Sequence, residues 1–169
     1  MNKRIVLFAV SILWIAIAFG LINSRELILK QGTTVVLETV PVDPRDLVRG
    51  DYVRLSYKIS RLDLNFIRSA DNNYRRGEKV FVFLEPTGGV WQAVSVQKAK
   101  PQSEGLYIKG RVDSYYGKKL NVDYGIESYF VPEGEGREIE KTMRGAKSLV
   151  KMEVSIAPSG QAVIKRLYN

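Results

Sequence analysis

The sequence predicts a mainly β domain, sandwich or barrel-like with room for one short helix, preceded by a single transmembrane helix. Three observations predict it. Residues Ile5 to Ile22 form an 18-residue run with no charge and no proline. Downstream, apolar and polar residues alternate with the two-residue period of half-buried strands. Gly-, Pro- and Asp-containing turns interrupt that alternation at strand-length intervals, the pattern of sandwiches and barrels. The division that follows is residues 1–24 as anchor and 25–169 as an extracytoplasmic β-rich domain.

The apolar run comes first. As a helix it is about 27 Å long, close to the thickness of a bilayer's hydrocarbon core. Lys3 and Arg4 precede it, so the positive-inside rule keeps the amino terminus in the cytoplasm and exports the rest. Ala16-Ile17-Ala18 offers a cleavage site of the A-x-A kind, which leaves a secretory signal peptide as the alternative. The apolar run continues past it through Phe19, Leu21 and Ile22, and this favours an uncleaved signal-anchor.

The strands follow in order. Glu26 to Lys30, a Gln31-Gly32 turn and the β-branched Thr33 to Val40 read as strand, turn, strand. In Tyr52 to Ile59, Val53, Leu55, Tyr57 and Ile59 share one face and Tyr52, Arg54, Ser56 and Lys58 the other. Ser60 to Arg76 is undecided, with Asp71-Asn72-Asn73 as a loop tip. Lys79 to Leu84 is an apolar strand stopped by Glu85-Pro86, and Thr87-Gly88-Gly89 turns the chain into Val90 to Val96. Leu106 to Tyr115 and Lys118 to Tyr124 form a hairpin over Gly117, and Ser128 to Val131 is a further strand. Arg137 to Lys147 reads as the short helix, with acids early and bases late, as the helix dipole favours. Leu149 to Ile156 and Gln161 to Leu167 close the chain as a hairpin over Ala157-Pro158-Ser159-Gly160.

Composition narrows the chemistry. The chain has 169 residues and neither His nor Cys. That excludes Ser–His–Asp and Cys–His catalysis, disulfides and thiolate metal sites within it. No metal ligand set and no cofactor motif is legible. Of the formal +8 charge, Lys3 and Arg4 orient the span, leaving +6 on the exported part. An exported domain has no call on nucleic acid, so anionic headgroups, envelope glycans or acidic proteins suit its cations better.

The densest stretch is Val42-Asp43-Pro44-Arg45-Asp46-Leu47-Val48-Arg49-Gly50-Asp51-Tyr52. Asp43 before Pro44 and Asp51 after Gly50 are turn residues whose side chains bond their own backbone, and the arginines can brace them. The loop is either a rigid structural element or a docking loop built from Asp43, Pro44, Arg45, Asp46, Arg49, Gly50, Asp51 and Tyr52. Leu55 and Tyr57 point to the core, which leaves Tyr52 as the motif tyrosine available for contact.

Gly50-Asp51-Tyr52-Val53-Arg54-Leu55-Ser56-Tyr57 fits G-D-Y-x-x-L-x-Y at every specified position. The stretch resembles the GDYXXLXY-motif family. A second block, Tyr129-Phe130-Val131-Pro132-Glu133-Gly134, is similar to that family too, with Tyr129, Pro132, Glu133 and Gly134 as its marked residues. The resemblance implies a bacterial, membrane-anchored protein beside a multipass membrane partner, and it implies no activity.

Two enzymatic readings remain as alternatives. Pro41 to Val53 loosely resembles the loop of type I signal peptidases, but Pro41 stands where their nucleophilic serine would. A Thr39–Lys pair would need Lys79 or Lys98 beside the hydroxyl. A catalytically silent relative of that architecture fits better than an active one. A carboxylate hydrolase would have to bring Asp43, Asp46 or Asp51 near Glu133 or Glu138. The expectation is a non-enzymatic accessory domain, tethered to the inner membrane with its domain in the periplasm.

Overall fold

The computed structural model describes residues 3–40, 52–71, 73–102, 105–130 and 150–168. About half of the described residues are strand, preceded by one apolar helix, as the sequence predicts. The short helix expected over Arg137 to Lys147 lies outside the described residues.

Helix α1 (Lys3–Gln31) has 29 residues, about 43 Å at 1.5 Å each. Its segment Leu7–Gln31 is long and apolar enough to cross a membrane. The large apolar side chains between Leu7 and Ile22 are exposed rather than packed on the β domain. The strand expected over Glu26 to Lys30 is instead the last part of this helix. Glu26 and Lys30 form an i,i+4 ion pair of 2.8 Å, and Leu, Glu and Lys are good helix formers. Extending an existing helix also needs no new nucleus.

One residue separates α1 from strand β1 (Thr33–Val40). That residue is Gly32, and it is held closely. A β-carbon there would stand 2.5 Å from Ser155 Oγ and 2.6 Å from the Ile28 carbonyl oxygen. The Gly32 N–H donates to the Ile28 carbonyl at 2.9 Å. The Ser155 hydroxyl, fully buried, donates to the same carbonyl at 2.6 Å.

A four-stranded sheet runs β12-β11-β1-β3, with β3 (Ser56–Tyr57), β11 (Lys151–Ile156) and β12 (Ala162–Tyr168). β1 lies antiparallel to β11, Thr33 opposite Ile156 and Glu38 opposite Lys151. Its far end pairs with β3, Val40 opposite Ser56. A six-stranded sheet runs β4-β9-β8-β6-β7-β5, built from β4 (Arg61–Asp63), β5 (Arg68–Ser69), β6 (Lys79–Thr87), β7 (Val90–Gln97), β8 (Tyr107–Tyr116) and β9 (Lys119–Asp123). β2 (Tyr52–Arg54) and β10 (Ser128–Phe130) form a separate two-stranded ribbon.

Both large sheets turn an apolar face inward. Val35, Leu37, Met152, Val154 and Ile156 meet Val80, Val82, Leu84, Ile108, Leu120 and Val122 in one core. Strand alternation produces this, since every second residue of β1 is buried. Thr39 falls on the inner face, and its hydroxyl donates to the Val150 carbonyl at 2.7 Å.

The turn residues act as expected in two hairpins. Gly88 and Gly89 join β6 to β7 with φ of 61° and 83°. Gly117 and Lys118 join β8 to β9, at 55° and 68°. Glu85-Pro86, by contrast, does not stop β6, which runs on to Thr87. β8 accompanies β6 only as far as Phe83 opposite Tyr107. Past it β6 has β7 alone as a strand partner, so Pro86 sits where a sheet tolerates a missing N–H. The undecided stretch Ser60 to Arg76 holds β4, turns and β5, the last running parallel to β7.

Candidate functional site

The two motif blocks meet. β2 carries the start of the first block and β10 the start of the second, and they pair antiparallel: Arg54 with Ser128, Val53 with Tyr129, Tyr52 with Phe130. Tyr52 and Phe130 therefore stand together at one ladder end. The same holds at the end of β1, where the Thr39 N–H donates to the Val150 carbonyl at 2.8 Å. Tyr52 thus neighbours Phe130, and the end of β1 neighbours Val150. Asp43, Pro44, Arg45, Asp46, Arg49, Gly50 and Asp51 lie outside the described residues, as do Pro132, Glu133 and Gly134. Tyr52 is described by its place in β2 only.

The remaining motif residues are structural anchors. Leu55 and Tyr57 are buried, at 3% and 0% exposure, on the inward face where the alternation puts them. The Leu55 N–H donates to the Glu127 carbonyl at 2.7 Å. The Tyr57 hydroxyl donates to the Ile126 carbonyl at 2.9 Å. Tyr124 answers from the other side, its buried hydroxyl donating to the Ile59 carbonyl at 2.5 Å. The Glu127 carboxylate folds the intervening turn. It accepts from the Tyr124 N–H at 2.6 Å and the Gly125 N–H at 2.8 Å. Gly125 sits in that turn with φ of 80°, a conformation that favours glycine. Half-buried Tyr129 packs on the core.

Burial pushes both tyrosine hydroxyls well above their ordinary range, and the Glu127 carboxylate adds to it. They remain neutral donors at any physiological pH. Their chemistry is to fasten residues 55–59 to residues 124–127, so that the ribbon β2–β10 is mounted on a fixed base.

Charged groups lie near this mount. Arg54 on β2 is exposed. Burial raises the Asp123 carboxyl first and the Asp113 charge second, while Arg54 and Arg76 act against them. Arg76 Nη2 reaches Asp113 Oδ1 at 3.3 Å. Among the described residues, no group of three or more acidic side chains could hold a metal ion.

Two of the residues proposed for Ser/Thr–Lys chemistry, Thr39 and Lys98, are otherwise engaged. The Thr39 hydroxyl is spent on Val150. Lys98 Nζ lies 3.1 Å from Glu78 and 5.3 Å from the centre of the Tyr74 ring. The carboxylates of the hydrolase alternative all lie outside the described residues. Sequence reasoning missed Tyr124 and Glu127. The Gly125 turn marked the place, but nothing in the alternation tied it to Tyr57, 67 positions earlier.

The family model described as GDYXXLXY protein matches residues 14–167. No curated protein and no solved structure matches the chain.

Proposed function

The chain belongs to the GDYXXLXY protein family, and on that premise we propose that it is a membrane-anchored accessory domain of the bacterial envelope. α1 is its anchor in the inner membrane, with the amino terminus in the cytoplasm and the β domain in the periplasm. The domain docks onto a multipass membrane protein or another envelope component through residues 41–52. It binds rather than catalyses.

The pairing of β2 with β10 is the observation that supports this reading best. It sets the ends of two motif-bearing segments side by side on a base locked by Tyr57 and Tyr124. A binding surface gains affinity when its backbone is ordered before the partner arrives, and neutral, buried tyrosines supply order without reactivity. The test is purification of the tagged full-length chain in mild detergent. A multipass protein should copurify, and Tyr52→Ala should abolish this without lowering the melting temperature. A chain that purifies alone across mild detergents refutes the reading.

A further inference from the structure

The junction between α1 and the β domain has a consequence for the membrane itself. The apolar run ends at Ile22. Ile28, whose carbonyl accepts from both Gly32 and Ser155, lies six residues on, about 9 Å along the helix. The headgroup layer on each side of a bilayer is about 5–8 Å thick. The β domain is thus fastened to the helix at the outer rim of that layer, with no linker.

Strand register says which end faces the lipid. β11 runs antiparallel to β1 and ends with Ile156 opposite Thr33, the first residue of β1. The turn Ala157 to Gln161 therefore lies past Thr33, on the side from which the helix arrives. It is also braced. The Tyr107 hydroxyl donates to the Pro158 carbonyl at 2.8 Å. The Lys109 N–H donates to the Gly160 carbonyl at 2.8 Å. Phe81 and Phe83 pack against the Tyr107 ring at 5.6 and 5.9 Å. Cations gather at this end: Arg25 on the helix, where Lys30 is paired with Glu26, Lys109 at the turn, and exposed Lys165, whose ammonium lies 3.1 Å from Thr34 Oγ1.

We propose that the turn 157–161, with Lys109 and Lys165, rests on the phospholipid headgroups of the membrane that α1 enters, held there by the Gly32–Ser155 junction. The lysines face lipid phosphates, each adding electrostatic attraction to an anionic leaflet. The domain has one fixed face toward the bilayer and does not swing on a tether. This rests on α1 being the anchor, as proposed above.

The natural chain has no cysteine, so an introduced one is the single labelling site. Ser159→Cys, in the exposed turn, and Tyr116→Cys, at the end of β8 about 30 Å from Tyr107, each carry a fluorophore in full-length protein. The protein is reconstituted in phosphatidylglycerol-containing vesicles with headgroup-nitroxide lipid as quencher, and alkaline washing tests retention in the membrane. Quenching at 159 should exceed that at 116 severalfold. A four-residue Gly-Ser insertion between Gln31 and Gly32 should erase the difference. Equal quenching at the two positions in membrane-retained protein overturns the proposal and leaves the anchor standing. Release by the alkaline wash overturns both.

Discussion

Tyr57→Phe removes one oxygen atom and keeps the ring, so it opens no cavity in the core. The lost donor leaves the Ile126 carbonyl without its 2.9 Å partner beside a side chain that is 0% exposed. A buried polar group stranded in this way costs about 1–3 kcal/mol. At about 3 °C per kcal/mol for a domain of this size, the melting temperature falls by about 3–9 °C. Alkaline pH supplies a signed second readout. Burial holds the Tyr57 hydroxyl well above its ordinary range, while the unfolded chain ionises near pH 10. The native state therefore keeps a proton that the unfolded state loses. Stability from this group is full below about pH 10 and declines above it, by up to about 1.4 kcal/mol per pH unit. Tyr124 declines in the same sense, in wild type and variant alike. Urea denaturation of the detergent-solubilised full chain, followed by circular dichroism from pH 8 to 11, should show the variant weaker at pH 8. The gap should narrow above pH 10, because the variant has one fewer hydroxyl to ionise. Equal stability at pH 8, or a gap that stays constant with pH, would refute the assignment of Tyr57 as a buried, neutral fastener.

Two further outcomes follow from close contacts and local charge. A β-carbon at Gly110 would run into Val122 Cγ1 and stand 2.9 Å from Tyr124 Cδ1. Gly110→Ala should therefore cost about 1–3 kcal/mol in thermal unfolding, whereas Gly20→Ala, with nothing within 4 Å, should leave the melting temperature unchanged. Arg54→Ala removes one of two cations that oppose the rise of the Asp123 carboxyl. An NMR titration should then find Asp123 protonating at higher pH than in the wild type; an unmoved midpoint would mean that Arg54 exerts no field there.

Much of this fold was legible because its signals are local. The alternation in Tyr52 to Ile59 put Leu55, Tyr57 and Ile59 on one face, and all three are buried. Glycines marked the Gly88-Gly89 and Gly117 hairpins, and Ala157 to Gly160 marked the last one. The apolar run Leu27 to Leu29 was misread because a short apolar stretch fits helix and strand alike, and its continuity with the span decided the matter. Pro86 was misread because a proline's tolerance depends on which neighbour strand is present, and the sequence does not reveal that β8 begins only at Tyr107. The candidate site was half legible. Its first motif and the inward places of Leu55 and Tyr57 could be read off, but its mount could not. The bonds Tyr57–Ile126 and Tyr124–Ile59 join residues 69 and 65 positions apart. Neither propensity nor period carries information over that distance. Nor did anything local predict that Tyr129 would lie opposite Val53.

The pairing of β1 with β11 also dictates an order of assembly. β1 is the first strand to follow the anchor, yet its main partner begins at Lys151, close to the end of the chain. Thr33 and Ile156 are separated by almost the whole domain, so this sheet cannot close until residues 151–156 have been made. Such long-range pairings are slow to form and leave apolar strands uncovered meanwhile. A ribosome that stalls before residue 150 would release a chain whose β1 has no β11 to pair with. The sheet is completed only once both strands of the last hairpin, β11 and β12, have been made.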